Sequence, residues 1–356
     1  MCENDKNNTI ASISPISWSN SMGEFTLLNG VVGDTAIKAV FNQSGEITLF
    51  DLGKLDAMTY GELLTVHQAF ISHAHFDHII GFDVLLRATF PLNRPMVFAG
   101  PTGITRILAH RMKGYTWNLA TPGQVDHTVR EIHRDGSVKS WHLSNNDFEP
   151  TPAENELESA DMLNPPAFDA PAAFVGRIKG GVRIYALCLD HAGIDSIAYA
   201  AVTDAKLKLR TDRLPELGLR PGPWVGAFQK DYLAGELQKS ITVGEQTQTV
   251  GQLAETLLEI KPGERFCYLT DFGATDANLE RVRPFIAGAT HLGIETNFRI
   301  GQEDQAQANG HLTTAQAANL IAESGAKTWQ TFHYSNAFQD CADEVTDETR
   351  SCLKKI

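Results

Sequence analysis

The sequence predicts a mixed α/β protein, on three observations. Short runs rich in apolar, β-branched and aromatic residues recur along the chain. Stretches with helical spacing of apolar residues lie between them. Acidic or metal-ligating residues stand directly after several strand-like runs, at Asp51, His73, Asp190-His191, Asp271 and His333. The most concentrated of these places is Phe70-Ile71-Ser72-His73-Ala74-His75-Phe76-Asp77-His78. An apolar lead-in reads as a buried strand, and four potential ligands (His73, His75, Asp77, His78) follow as H-x-H-x-D-H. On a long helix they would spread over several faces. On a loop just past a strand end they can converge on one point, and imidazole with carboxylate suits zinc and similar ions.

Bulk properties bound the reading. At 356 residues the chain can bury a large core in one or two domains. Hydrophobic content of 42% and charged content of 21% are ordinary for a globular protein. No apolar run reaches the length of a membrane-spanning helix. The polar start Met1-Cys2-Glu3-Asn4-Asp5 has no signal-peptide core, so a cytoplasmic protein is expected. The cysteines at 2, 188, 267, 341 and 352 form no C-x-x-C pair, and free thiols are expected. A net charge of −13 disfavours a protein coated in nucleic acid, while leaving room for a local basic patch.

In chain order, residues 1–20 read as a flexible, loosely docked end. Two strand-like runs, 36–41 and 47–50, flank Asn42-Gln43-Ser44-Gly45 and predict a hairpin. Residues 58–67 and 79–87 read as helices on either side of the histidine-rich strand and loop. Residues 95–99 read as a strand running into Gly100-Pro101-Thr102-Gly103, and 104–112 as a helix closing before Gly114. The stretch 115–150 mixes short polar and apolar pieces; its His127, His133 and His142 read as surface or hydrogen-bonded histidines. Residues 149–173, rich in Pro and acidic side chains, suit an exposed insertion. Further strands are expected at 184–189, 266–270, 292–298 and 328–332. A helix over 315–323, capped by Thr313 or Thr314 and ended by Gly325, precedes the last.

Taken in order, these motifs resemble the metallo-β-lactamase superfamily, and within it the ribonuclease Z-like hydrolases. H-x-H-x-D-H at 73–78 follows a strand, and Asp51-Leu52-Gly53 is similar to the D-x-G whose Asp supports the metal loop. His75 stands where the redox di-iron branch usually carries Glu, which favours hydrolysis. His191 ahead of Ser196 and Tyr199 resembles H-x(3,4)-S-x-G-Y, with Ala198 replacing Gly. Tyr268 to Phe272 resembles Y-x-G-D-T, with Thr270 and Phe272 departing from it. Glu295 to Phe298 is similar to E-x-T-F, and G-H-x-T-x-x-Q-A at 310–317 pairs with H-[FY]-S at 333–335.

The resemblance implies a four-layer αββα sandwich of two mixed β-sheets flanked by helices, over one domain from 21 to 345. It implies two Zn2+, with manganese or iron as alternatives. His73, His75 and His191 would hold one metal (His142 being the fallback for His191), and Asp77, His78 and His333 the other, with Asp271 bridging. Asp77 and His311 would be catalytic, and Arg220, Gly222 and Ser335 substrate contacts. A hydroxide shared by the metals would attack the phosphorus of a phosphodiester, RNA among the candidates, and a homodimer is expected. Residues 204–235 look like the arm that grips transfer RNA. Its Lys206, Lys208, Arg210, Arg213, Arg220 and Lys230 are nearly balanced by Asp204, Asp212, Glu216 and Asp231, which is weakly basic for such an arm. The alternative is a small-molecule hydrolase on the same fold, acting on an ester, lactone or cyclic nucleotide. A non-catalytic binding subunit is the third reading.

Overall fold

The computed structural model describes residues 14–155, 167–168, 171–243 and 246–356. Residues 1–13 and most of the Pro- and acid-rich insertion's centre (156–166, 169–170) lie outside the described residues. The chain divides into two compact units. The larger takes residues up to 157, 168–202 and 265–356, and the smaller is essentially 203–264.

The first sheet of the larger unit opens as an antiparallel meander of β1 (Ile16–Asn20), β2 (Gly23–Leu27), β3 (Ile37–Phe41) and β4 (Ile47–Phe50). The β3–β4 pair is the hairpin read from Asn42 to Gly45. After α1 (Tyr60–Leu64), β5 (Val66–Phe70) pairs parallel with β4. Helices α2 (Phe76–Ile79) and α3 (Phe82–Thr89) lead to β6 (Val97–Pro101), and α4 (Ile104–Lys113) to β7 (Asp126–Ile132). Strands β5, β6 and β7 are parallel, with β8 (Val138–Ser144) and β9 (Thr151–Ala153) returning antiparallel. Expected helix 58–67 is shorter than its apolar spacing suggested, because the capping box of Thr59 with Glu62 starts it late and β5 claims Val66 onward. Residues 115–150, read as mixed pieces, include the regular β7–β8 pair.

The second sheet begins with β10 (Ala173–Ile178), β11 (Val182–His191) and β12 (Ile194–Thr203). The chain then enters the smaller unit. There β13 (Lys206–Leu209) meets β16 (Leu258–Lys261) antiparallel, with α5 (Trp224–Leu233), the hairpin β14 (Ser240–Val243) and β15 (Gln246–Thr249), and α6 (Val250–Leu257) between them. Leu214, Phe228, Val250, Leu253 and Leu257 form its own small core. The unit runs on to 264, past the 204–235 stretch that resembles the arm. On return, β17 (Arg265–Leu269), α7 (Asp276–Ile286), β18 (His291–Glu295), α8 (Glu303–Asn309), α9 (Thr314–Ser324), β19 (Thr328–Phe332) and α10 (Ala342–Leu353) complete the larger unit. Strand order in the second sheet is β10-β11-β12-β17-β18-β19, with β17, β18 and β19 parallel.

The larger unit is therefore an α/β/β/α sandwich. Between the sheets, Phe25, Phe41, Phe50 and Phe70 of the first meet Tyr199, Phe266, Tyr268 and Phe332 of the second in one apolar cluster. On the outer face of the first sheet, Ala69, Ile71 and Phe98 pack with Phe82, Leu85, Ile104 and Leu108 from α3 and α4. Helices α7 and α9 lie against the second sheet. Central strands are covered on both faces, which is why β4 is buried at every position and reads as a continuous apolar run. Cys188, Cys267 and Cys352 are free thiols; Cys341 is disulfide-bonded, contrary to the expectation of free thiols. Among the described residues no helix is long and apolar enough to cross a membrane.

Phe50 sits at the centre of this layer, fully buried, with ring centroids of Phe70, Phe266 and Tyr268 each 5.6 Å away. Phe50→Ala is expected to lower unfolding free energy by about 3–5 kcal/mol, the cost of a large cavity in a close-packed core. A urea titration followed by fluorescence measures it; a loss under about 1 kcal/mol would show that the sheets collapse onto the gap.

Candidate metal centre

The parallel strands of both sheets end at the same edge of the larger unit, and the titratable residues stand at those ends. β5 delivers His73 into a short loop, and His75 takes the N-cap position of α2. Asp77 and His78 lie on that single helical turn and not on a loop. Four residues are too few to spread the ligands over several faces, and periodicity cannot reveal so short a helix. The turn is tied down from the Asp51-Leu52-Gly53 side: Leu52 N donates to His78 O at 2.9 Å and Gly81 N to Leu52 O at 2.8 Å. Only glycine fits at 81, where a Cβ would come 2.2 Å from the Gly53 carbonyl oxygen.

Asp51 is the inner anchor. It is fully buried, accepting from Ser72 N at 2.6 Å and Ser72 Oγ at 2.8 Å, with His78 Nδ1 at 2.8 Å. The Asp51 contact accounts for Nδ1 of His78 and leaves Nε2 to face the site, as an outer carboxylate does for a ligating histidine. His191, at the end of β11, has Nδ1 2.8 Å from the carbonyl of Gly310, which likewise leaves Nε2 facing inward. Gly310 has φ +69°, and a Cβ there would fall 2.6 Å from Ala192 N and 2.9 Å from His191 Nδ1.

Asp271 follows β17 and is 2% exposed. Its Oδ2 lies 3.7 Å from His73 Nε2, 3.4 Å from His78 Nε2 and 3.7 Å from His191 Nε2; its Oδ1 lies 3.5 Å from His333 Nε2. Asp77 Oδ2 stands 3.2 Å from His333 Nε2 and 3.4 Å from His78 Nε2. Two groups, His73-His75-His191-Asp271 and Asp77-His78-His333, each bring their donor atoms within 4.8 Å of one another; Asp271, His311 and His333 form a third. The site thus brings together all seven residues read as ligands. His142 lies on β8, exposed beside Asp126, and belongs to none of these groups. His127 accepts from Met96 N, and His133 pairs with Thr102.

The chemistry of these donors fits a pair of cations. His73 Nε2 is buried with no hydrogen-bond partner, and the Nε2 atoms of His78 and His333 face each other at 3.2 Å. Nitrogen donors converging on a buried carboxylate are the donor set that zinc takes, and manganese or iron can take it too. Electrostatics agree. Burial, with His78 beside it, pushes His73 well below the ordinary histidine range, so its ring is neutral and ready to ligate. Burial opposes the charge on Asp271, but His333 and His78 hold it well below the usual carboxylate range.

His311 stands beside the cluster, its ring 4.9 Å from that of His191 and 5.4 Å from that of His333. Its Nδ1 is 3.2 Å from both oxygens of Glu295, which is fully buried at the end of β18. Burial works against a charge on His311, but the Glu295 carboxylate carries its pKa up to about 9. Asn297 gives its side-chain amide to the His333 backbone carbonyl at 2.9 Å and touches Nδ1 at 3.0 Å. These partnerships of Glu295 and Asn297 are not visible in sequence; the only signal is that both lie in the segment that resembles E-x-T-F. Ser335, two residues past His333, caps the following turn. Arg220 and Gly222 lie in the smaller unit, Arg220 exposed, its carbonyl accepting from Trp224 Nε1 at 2.9 Å.

No family model matches the chain. It is 30% identical over 296 residues to a ribonuclease Z of Deinococcus radiodurans, covering 82% of this chain and 83% of that one. It is 24% identical over 319 residues to a ribonuclease Z of Haloarcula marismortui, with 88% and 84% covered. With a ribonuclease Z of Bacillus cereus the identity is 25% over 321 residues, with 87% and 86% covered. The order of the ligand-bearing strand ends and this similarity lead to the same family: the chain belongs to the ribonuclease Z family.

Proposed function

We propose that this chain is a dinuclear metal-dependent phosphodiesterase that cleaves RNA. The observation that carries the reading is the pair of donor clusters joined through the two oxygens of Asp271. His73, His75 and His191 would hold one ion, and Asp77, His78 and His333 the other, with zinc the metal best suited to the set. When bound, two such ions supply Lewis acidity towards the phosphoryl oxygens and make water a nucleophile near neutral pH.

The chain's own groups then divide the remaining work. Asp77 is only partly buried and holds an oxygen against His78 and His333, so it can orient the attacking water. His311 is fastened through Nδ1 to Glu295, which keeps the ring protonated and leaves Nε2 to donate to the leaving oxygen. Arg220, Gly222 and Ser335 serve as substrate contacts in this reading. Family membership supports RNA as substrate, and transfer-RNA precursors are the form to try first. The net charge of −13 and the nearly balanced charge around Arg220 favour the second reading, a small phosphodiester or ester.

We also propose a homodimer. An apolar groove of about 1060 Å3 lined by Tyr60, Val84, Phe90, Tyr115, Trp117 and Leu119 supports it, with Leu119 92% exposed.

His311→Ala, loaded to the wild-type metal content, is expected to lose about 10²- to 10⁴-fold in kcat on precursor transfer RNA, the usual worth of a general acid. Wild-type rates would remove His311 from the mechanism. If precursor RNA is untouched while bis(p-nitrophenyl) phosphate is cleaved, the small-substrate reading takes over. Gly310→Ala is expected to bind fewer than two metals with its circular dichroism intact, because the new Cβ displaces the carbonyl that orients His191. For the dimer, sedimentation of wild type should give twice the chain mass and Leu119→Asp the monomer; a monomeric wild type contradicts it.

A further inference from the structure

The layer between the two sheets is apolar, with the rings of Phe50, Phe70, Phe266 and Phe332 among its aliphatic side chains. Three rings in it carry hydroxyls. That of Tyr334 contacts Thr331 and Thr346, whereas those of Tyr199 and Tyr268 cross to the first sheet, at or beside the segment that bears the first four candidate ligands. Tyr268 on β17 donates to Asp51 Oδ2 at 2.6 Å. The same oxygen accepts from Ser72 Oγ and lies 2.8 Å from His78 Nδ1. Tyr199 on β12 donates to the carbonyl of Ile71 at 2.8 Å, and Ile197 N donates to the next carbonyl, that of Ser72, at 2.8 Å. Asp51, Tyr199 and Tyr268 are all fully buried, so water cannot replace these bonds.

The arrangement matters because the candidate ligands come from both sheets. His73, His75, Asp77 and His78 follow β5, whereas His191, Asp271 and His333 follow strands of the second sheet. Apolar attraction is non-directional and does not by itself fix the register of one sheet on the other. A metal site tolerates about 0.5 Å of misplacement. A directional bond from a rigid ring can supply the missing registration. Tyr268 does so at the carboxylate that orients His78, and it stands only three residues before Asp271, which follows the same strand. Tyr199 does so at the strand end from which His73 departs.

We propose that Tyr199 and Tyr268 are positioning residues whose hydroxyls register the His73–His78 segment against the second sheet and thereby set the affinity for metal. This rests on the dinuclear reading above.

The test uses the full chain as wild type, Tyr199→Phe, Tyr268→Phe and, as a control for loss of a buried hydroxyl, Tyr185→Phe. Tyr185 is equally buried, and its hydroxyl accepts from Arg183 Nη1 at 3.1 Å. Each protein is stripped of metal, checked by circular dichroism, and titrated with zinc against a chromophoric chelator; melting is recorded with and without zinc. Tyr268→Phe is expected to bind zinc about 10- to 100-fold more weakly, the usual effect of losing a group that orients a ligand. Tyr199→Phe should shift in the same direction by less, since it acts through backbone, and Tyr185→Phe should match wild type. The zinc-induced rise in melting temperature should shrink in the first two, over and above the lowering that loss of a buried hydrogen bond gives each stripped variant.

Zinc affinity within about twofold of wild type in both variants would overturn the clamp, as would an equal loss in Tyr185→Phe. A purely structural role would lower the melting of the stripped proteins and leave zinc affinity unchanged. Should Tyr268→Phe fail to fold, Tyr199→Phe decides. A wild type that takes up no zinc would overturn the dinuclear reading itself; two zinc ions with indifferent variants overturns the clamp alone.

Discussion

A carboxylate buried among imidazoles is the constraint on which the rest of this structure depends. Asp271 is almost wholly removed from water, with Nε2 atoms of four histidines 3.4 to 3.7 Å from its oxygens. An isolated buried carboxylate would cost several kcal/mol, so it must be matched by positive charge at short range. The histidines do not agree on how to provide it. Burial drives His73 neutral; it opposes a charge on His78 as well, but Asp271 and Asp51 outweigh it and hold that ring protonated. Divalent cations would resolve the conflict at once, since they neutralise the carboxylate and allow every imidazole to be neutral and ligating.

The backbone is bent to meet that constraint. Asp51, Ala192, Asp271 and His333 all adopt left-handed φ values, between 45° and 59°, just past a strand or at its end. Non-glycine residues accept this region at a cost of order 1–3 kcal/mol each, and such strain gathers at functional sites. Here the physical reason is plain. A strand runs straight on, and a sharp reversal turns Asp271 or His333 back over the end of its own sheet. The aromatic layer between the sheets and the tie between Leu52 and His78 hold these turns in place.

Much of this was legible in the sequence because ligand chemistry is rare and position-specific. H-x-H-x-D-H after an apolar run, a lone Asp ending Phe266 to Thr270, and His333 after Thr328 to Phe332 could be read directly, and the structure gathers them. The alternation of strand and helix was equally plain, as at the hairpin around Asn42 to Gly45. What could not be read depends on distance in the chain or on a single polar atom. Glu295 and His311 meet although they stand sixteen positions apart in the chain. Tyr199 and Tyr268 stand in the sequence only as letters of the resembling motifs, because nothing in a strand pattern says where a hydroxyl points. The smaller unit reaches to 264 because β13 pairs with β16, and pairing between distant strands leaves no local mark. Asp77 and His78 sit on one helical turn too short for any periodicity to register.

The central claim is that two metal ions at this centre make the chain a phosphodiesterase. The most direct measurement is metal content by mass spectrometry on protein purified without chelator, with phosphodiester cleavage followed before stripping, after stripping and after zinc is restored. The account predicts two metals per chain, activity lost on stripping and regained as the second equivalent of zinc is added. Cleavage that persists in metal-free protein, or full occupancy with no cleavage of any phosphodiester, would contradict it.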